Sequence, residues 1–411
     1  MPMTLAKRTF ALLPIFVFLL LAALSVQVKS PGWIFACDAA GTHPTATEQL
    51  RAYLQDRTAG RPNLRVVPRI VLATLEQGAM GVLSLGFLDP TASALYQGSP
   101  RNSPYRVDKV ETHCAVRIAS WLTFVFLALS PILLLSFRWL RRTLTRVAFL
   151  GAAMMVILGW HPNVVSLVIM GGETVVDWPH SYYLFDQYVN VENFWALGLV
   201  GILYFALADA LRLRPIHFFL LAIVGQLSLE YFGPLLVGAA VLSLLVFPAD
   251  RDGPSPRRHG GRLTLAALAG LIIAAGIAMA IFYLSGGIIG PIVTAPDNPY
   301  QHIDNNMAWL NVILANLAMM SLPALIAGWL IGFVDGLLPG PAIIKEQVRR
   351  DVIISAVLYM GFIGVFVIGL FTAAYPSEMG RQFLPMALVA VFLGARSGTW
   401  VVIATTSRGN A

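Results

Sequence analysis

The sequence has few charged residues and almost no cysteine. Only 12% of its 411 residues are charged and 57% are hydrophobic, whereas a soluble domain has about 25% charged residues. Such a chain has too little charge to cover a surface that faces water on all sides. The composition therefore excludes an ordinary soluble domain and predicts a protein that is largely surrounded by lipid.

Several common signatures of catalysis are also missing. The chain contains no nucleotide-binding glycine loop and no H-E-x-x-H, G-x-S-x-G or C-x-x-C motif. Its seven histidines include no i, i+4 pair, the spacing that would signal a metal or haem site in a helical bundle. The net charge of +7 comes from basic clusters beside apolar stretches. No aromatic-basic recognition module accompanies them, so we expect no nucleic acid partner.

What the sequence has in abundance is apolar stretches long enough to cross a bilayer core, which takes about 17 to 25 residues. Basic clusters flank these stretches, and the positive-inside rule places the clusters in the cytoplasm. The predicted spans are 9–28, 118–137, 147–170, 193–211, 263–284, 306–334, 352–374 and 381–405.

The segment 216–247 is too long for one ordinary span and short for two. Basic clusters flank it on both sides, so both of its ends belong in the cytoplasm. We therefore predict a hairpin with arms 216–229 and 231–247 and with Glu230 near its tip. At 1.5 Å per residue the first arm reaches only about 21 Å, less than the core of roughly 30 Å, which leaves Glu230 in a depression below the outer surface.

Together these segments predict an all-α fold, a polytopic transmembrane helix bundle of about ten spans that forms a single integral-membrane domain, 1–411. The largest outer loop, 29–117, contains both cysteines, Cys37 and Cys114. Two cysteines on an oxidising face usually pair, so we predict a disulfide, with two free buried thiols as the alternative. Within this loop, 68–88 is predicted to be an interfacial helix on the outer leaflet, and 89–111 to be irregular.

The second outer loop combines acids with aromatic residues. Asp177, His180 and Tyr182 stand in "GGETVVDWPHSYYLFDQYVNVEN". Carboxylates that accept hydroxyl hydrogen bonds, beside rings that stack on C–H surfaces, suit a carbohydrate ligand. The alternative is an aromatic belt at the membrane interface, where tryptophan and tyrosine are enriched.

Charged positions within or at the edge of the spans are functional candidates, because such groups are costly there. Glu230, Arg381 and Arg396 belong to this class. Arg381 lies at the outer mouth of the last span, where it would meet an anionic lipid phosphate. Arg396 lies about four turns deeper and calls for an acidic partner that the sequence does not identify. Asp209 and Asp335 lie near cytoplasmic ends, where capping or solvation accounts for them.

Three features resemble the GT-C-type integral-membrane glycosyltransferases, which take a sugar from a polyprenyl-phosphate or diphosphate carrier on the non-cytoplasmic side. The first is a span followed at once by a large outer loop with an early acid, Asp38. The second is the hairpin sequence "GQLSLEYFGPLLVG", with an acid between two short arms. The third is "GRQFLPMALVAVFL" at the start of the last span. The resemblance is architectural and covers most of the chain.

The resemblance implies that Asp38 is the catalytic base; the alternative is a solvated turn or capping residue. Related enzymes often carry two adjacent acids, whereas this loop reads "CDAAGTH", which makes His43 a candidate substitute and leaves a divalent cation open as a cofactor. Asp38 would deprotonate an acceptor hydroxyl that attacks the anomeric carbon with inversion. Arg381 would hold the carrier phosphate, and the substrate-binding set would be Glu230, Asp177, His180, Tyr182, Arg381 and His43.

The implied partners are a polyprenyl-phosphate-linked sugar, a glycan or lipid acceptor, and membrane lipid. The implied location is the bacterial inner membrane, with the active site on the periplasmic or extracellular face. The nearest alternative enzyme is a polysaccharide polymerase or ligase that uses a diphosphate donor. A lipid or sugar transporter and a non-catalytic scaffold of an envelope assembly are alternatives from other classes.

Overall fold

The computed structural model describes residues 5–29, 50, 66–84, 106–158, 191–210, 213–229, 232–246, 256–284, 317, 321–339, 344–371 and 376–406. Every regular element within these ranges is helical, as predicted. The helices are α1 (Leu5–Lys29), α2 (Val67–Ser84), α3 (Arg106–Trp139), α4 (Thr143–Leu158), α5 (Val191–Ala208), α6 (Pro215–Gln226), α7 (Phe232–Val246), α8 (Pro256–Leu284), α9 (Leu322–Leu337), α10 (Lys345–Phe371) and α11 (Pro376–Thr406).

Three helices are long and apolar enough to cross a membrane: Ile118–Trp139 of α3, His259–Leu284 of α8 and Leu384–Thr406 of α11. Six shorter apolar helices accompany them in the described part of the chain. These features indicate a membrane protein. Each predicted span coincides at least partly with one helix, but the count of ten spans stays a prediction.

The structure changes one boundary of the outer loop. Helix α3 begins at Arg106, so the prediction that 89–111 is irregular was wrong for its last six residues. The first turns of α3 are polar. Because the span was predicted from apolar residues, the prediction includes only the part of the helix from Ile118 onwards.

A helix is present in the predicted region as α2, Val67–Ser84, and its position at the membrane interface stays a prediction. It packs against α3 and α5. Leu72 and Ala73 are buried on its inner face, and Ile70 on the outer face is 44% exposed. Helix α2 is therefore amphipathic, as expected for an interfacial helix.

Helix α5 connects two ends of the molecule. Near its start, the Trp195 indole Nε1 donates a hydrogen bond to the Ser228 hydroxyl, 2.9 Å away. At its other end, the Arg350 guanidinium donates to the Ala208 carbonyl. Because Trp195 and Ala208 are 13 positions apart in α5 and a helix rises 1.5 Å per residue, these contacts lie about 20 Å apart.

We call the end of the molecule near Trp195 the hairpin end and the end near Ala208 the basic end. The hairpin end contains the tip between α6 and α7 and the start of α2. The basic end contains the last residues of α3, α5 and α9 and the first residues of α4, α6 and α10. It carries the basic side chains Arg138, Arg141, Arg142, Arg146, Arg214, Lys345, Arg349 and Arg350.

Helices α9 and α11 run parallel and make the most extensive helix contact in the described part of the chain. Glycines recur every four residues on both: Gly328, Gly332 and Gly336, and Gly394 and Gly398. A Cβ atom on Gly332 would lie 1.8 Å from the Ala395 carbonyl oxygen, and one on Gly398 would lie 2.1 Å from the Trp329 carbonyl oxygen. Only glycine permits this approach, which is the small-residue packing common between membrane helices.

Helix α11 is the central helix. Of its candidate span, 72% is buried inside the protein, against 28% for α8. Beyond α9, it contacts α4, α5 and α10. The position of the candidate span in α11 is therefore fixed largely by protein neighbours.

Candidate functional site

The hairpin predicted around Glu230 consists of two short helices. Helix α6 has 12 residues and α7 has 15, lengths of roughly 18 and 22 Å at 1.5 Å per residue. Both are shorter than the roughly 30 Å hydrocarbon core. A Cβ atom on Gly225 would lie 1.8 Å from the Phe232 ring, so this glycine allows the end of one arm to meet the start of the other.

Helix α2 begins on the tip of this hairpin. The backbone N–H groups of Val66 and Val67 both donate to the Leu227 carbonyl, at 2.9 and 3.1 Å. The Ser228 hydroxyl, which accepts from Trp195, donates in turn to the Val224 carbonyl at 2.6 Å. The tip thus brings α2, the hairpin and α5 together at one place.

Glu76 is a buried acid of this region that sequence reasoning did not select as a site residue. It is 3% exposed and lies three and four residues after Ala73 and Leu72, on the buried face of α2. Its position on the apolar face of an amphipathic pattern was the available signal.

Most of the predicted site residues lie outside the described residues: Cys37, Asp38, His43, Asp177, His180, Tyr182 and Glu230. Cys114 falls in α3 and Arg381 in α11, and their side chains lie outside the described part as well. The disulfide and the binding roles therefore stay predictions. Arg381 is 15 residues before Arg396 in the same helix, about 22 Å towards the hairpin end.

The acidic partner of Arg396 is Asp351. The Arg396 guanidinium Nη2 lies 2.7 Å from Asp351 Oδ2, and the Arg396 and Asp351 side chains are 4% and 2% exposed. The Tyr204 hydroxyl donates to Asp351 Oδ1, and Arg396 Nη1 donates to the Trp139 carbonyl at 3.1 Å. These contacts join four helices, α3, α5, α10 and α11, near the basic end.

A second ion pair lies between this buried pair and solvent. Arg138 donates from both Nη atoms to the Asp209 carboxylate, at 2.8 and 3.3 Å. These side chains are 25% and 31% exposed. We call the set Arg138, Tyr204, Asp209, Arg350, Asp351 and Arg396 the charge cluster.

Aromatic rings enclose the buried pair. The Trp139 ring lies 5.8 Å from the Arg396 guanidinium carbon and meets Tyr204 edge to face at 4.7 Å between centroids. Its indole Nε1 donates to the Tyr204 hydroxyl at 3.1 Å. Phe149 and Phe392 stack on each other beside Trp139. The pair is therefore hydrogen-bonded and largely shielded from water.

Asp335 acts as a cap, as the sequence suggested, but it caps another helix. Its carboxylate accepts hydrogen bonds from the backbone N–H groups of Arg141 and Arg142, at 3.1 and 3.3 Å, and from the Thr145 hydroxyl at 2.6 Å. These donors precede or begin α4, whereas Asp335 belongs to α9. Because Asp335 is fully buried, this contact closes the basic end between α3, α4 and α9.

The two ends thus have different chemistry. The basic end is tied together by one buried and one partly exposed ion pair and by a buried cap. At the hairpin end, α2, α5, α6 and α7 meet through backbone hydrogen bonds and the Trp195–Ser228 contact, with the buried acid Glu76 on α2. No group of three or more His, Cys, Asp or Glu side chains with metal-binding geometry occurs among the described residues. No protein-family model, curated protein or solved structure matches this chain.

Proposed function

We propose that this protein is an integral-membrane glycosyltransferase that moves a sugar from a polyprenyl-phosphate carrier to an acceptor on the outer face, with Asp38 as general base. The observation that supports it most is the hairpin of two helices too short to cross a bilayer. Arms of this length leave space above their tip for a reaction site at the hairpin end. Helix α2 begins at this tip and belongs to loop 29–117, which also contains Asp38.

The position of Arg381 also supports the proposal. It belongs to the early turns of α11, far from the basic end, and α11 is held by α9 along a glycine contact. A cation fixed at that end of the bundle suits the phosphate of a lipid carrier whose tail lies among the helices. Orientation with the basic end in the cytoplasm follows the positive-inside rule.

The reaction balances without a redox partner. Asp38 takes the proton of the acceptor hydroxyl, and the oxygen forms a bond to the anomeric carbon. The bond between that carbon and the carrier phosphate breaks, and the phosphate leaves with the electron pair, its negative charge stabilised by Arg381. Glu230, Asp177, His180, Tyr182 and His43 bind sugar hydroxyls in this scheme.

The test is turnover of labelled polyprenyl-phosphate sugar by protein reconstituted in lipid vesicles. We expect Asp38→Asn to lose at least about a hundredfold in turnover, the scale of a general base, and to keep its elution profile and thermal stability. Asp89→Asn, an acid of the same loop with no assigned role, is the matched control and should stay near the wild-type rate.

Each other outcome has a distinct meaning. Turnover retained by Asp38→Asn rejects this residue as the base. Turnover with polyprenyl-diphosphate donors alone assigns the protein to the polymerase or ligase class. Movement of the lipid across the membrane without turnover favours a transporter, and neither movement nor turnover favours a scaffold.

A further inference from the structure

The charge cluster is more elaborate than orientation in a membrane requires. The positive-inside rule needs basic residues in cytoplasmic loops, and it does not need buried acids paired with them inside the bundle. Asp351 and Arg396 are nearly inaccessible to solvent. Ionisable groups at such positions are costly and mark functional elements by default.

The contacts of the cluster run between helices near the basic end of the bundle. Arg396 connects α11 to α10 through Asp351 and to α3 through the Trp139 carbonyl. Tyr204 connects α5 to α10, and Arg350 connects α10 to the end of α5. Arg138 connects α3 to the end of α5. The result is a closed ring of contacts through four helices.

The ring has two layers. The pair of Arg138 and Asp209 is about a quarter to a third exposed and faces solvent at the basic end. The pair of Asp351 and Arg396 lies behind it, enclosed by Trp139 and Tyr204. On the far side, one helical turn along α10 from Asp351, the Ser355 side chain is fully buried.

We propose that the charge cluster is a seal that keeps the interior of the bundle closed to the cytoplasm at all times. A transporter with alternating access would have to separate these pairs in every cycle and leave desolvated charges without partners. The seal lets the hairpin end be hydrated and bind a polar ligand while the membrane remains impermeable. Any membrane protein that binds its ligand from one face only could use such a seal, so this proposal does not depend on the glycosyl transfer reaction.

The reactivity of a cysteine placed at the buried position 355 tests the seal. We would place Ser355→Cys in a Cys37→Ser/Cys114→Ser background and expose inverted vesicles, whose cytoplasmic face is outside, to a membrane-impermeant maleimide. Glu346→Cys is the matched control, because Glu346 lies in the first turn of the same helix and its side chain is 67% exposed.

We expect Glu346→Cys to react quickly and Ser355→Cys to remain unreacted through a long incubation, during which even brief openings would accumulate product. Adding Asp351→Asn should raise the labelling rate of Ser355→Cys about tenfold or more, because the unpaired Arg396 then favours the open, hydrated form. If Asp351→Asn does not fold, Tyr204→Phe, which removes only the hydroxyl bonded to Asp351, replaces it.

Two results would overturn the seal. Reaction of Ser355→Cys with the charge cluster intact would mean that the basic end opens. Unchanged labelling after the pair is broken in a folded variant would mean that the cluster does not close the interior. Neither result bears on whether Asp38 catalyses transfer, which the turnover assay decides separately.

Discussion

At the scale of single residues, the strongest feature is the pair of Asp351 and Arg396. Both charges are removed from water; Tyr204 donates to Asp351 and Arg396 donates to the Trp139 carbonyl, while the buried Arg396 Nε has no hydrogen-bond partner among the described residues. Buried pairs of this kind contribute little net stability over an apolar replacement, but removal of one partner leaves an uncompensated charge. A single substitution should therefore lower the free energy of unfolding by much more than the intact pair contributes to it.

This argument predicts a non-additive double-mutant cycle. Asp351→Asn and Arg396→Gln should each lower the free energy of unfolding by roughly 3 to 5 kcal/mol, and the double variant by clearly less than the sum. The measurement is denaturant unfolding in mixed micelles. The exposed pair of Glu346 and Arg349, at 67% and 59% exposure, is the control, and its disruption should have no measurable effect. Additive losses at Asp351 and Arg396 would show that they are not coupled.

The sequence identified Arg396 as a group that needs an acid but did not identify the acid. Asp351 follows the basic cluster at the start of α10 and, by position alone, belongs to the solvated edge of that cluster. Asp335 shows the same difficulty, because its role as a cap was predicted and its helix was not. Partners 45 or 190 positions apart in the chain depend on how helices pack, which local patterns do not encode.

At the scale of elements, helix positions follow from apolar stretches and basic clusters, because length and hydrophobicity decide what crosses a membrane. Helices α1, α5, α6 and α7 lie within a few residues of their predictions. The polar start of α3 was missed because its residues are not apolar. The glycines spaced by four in α9 and α11 are visible in the sequence as a helix-packing pattern, but the pattern alone does not say which helix is the partner.

The glycine contact makes a second prediction. Gly332→Ala should destabilise the protein by about 1 to 3 kcal/mol, because the added methyl group would collide with the Ala395 carbonyl and force α9 away from α11. Gly276→Ala in α8, where no atom lies within 4 Å of the added Cβ, is the matched control. Thermal unfolding in detergent should show a lower Tm for Gly332→Ala alone. Equal Tm values for both variants would contradict the close contact.

At the scale of the whole molecule, the two ends are chemically distinct, and the positive-inside rule assigns them to opposite sides of the membrane. Basic side chains gather where α3, α5 and α9 end, and the short hairpin and α2 meet at the other end. Under the proposed function, the basic end would face the cytoplasm and the reaction site would lie at the opposite end.

Labelling of single cysteines in intact cells checks this orientation. In the Cys37→Ser/Cys114→Ser background, we expect Gln77→Cys, at an exposed position of α2, to react with an impermeant maleimide from outside. Glu346→Cys should react only after the membrane is permeabilised. Reaction of both cysteines from the same side would refute the assignment of the two ends to opposite faces.

The cap on α4 has a consequence for the order in which the protein assembles. Its donors around Thr145 are synthesised 190 residues before Asp335, an interval of roughly 10 to 40 s at 5–20 residues per second. During that time the first turn of α4 has no carboxylate from α9, and α9 arrives only after α5 to α8 are in place. The basic end is therefore completed late in synthesis. Helix α4 lacks this cap until Asp335, in the last third of the chain, has been synthesised.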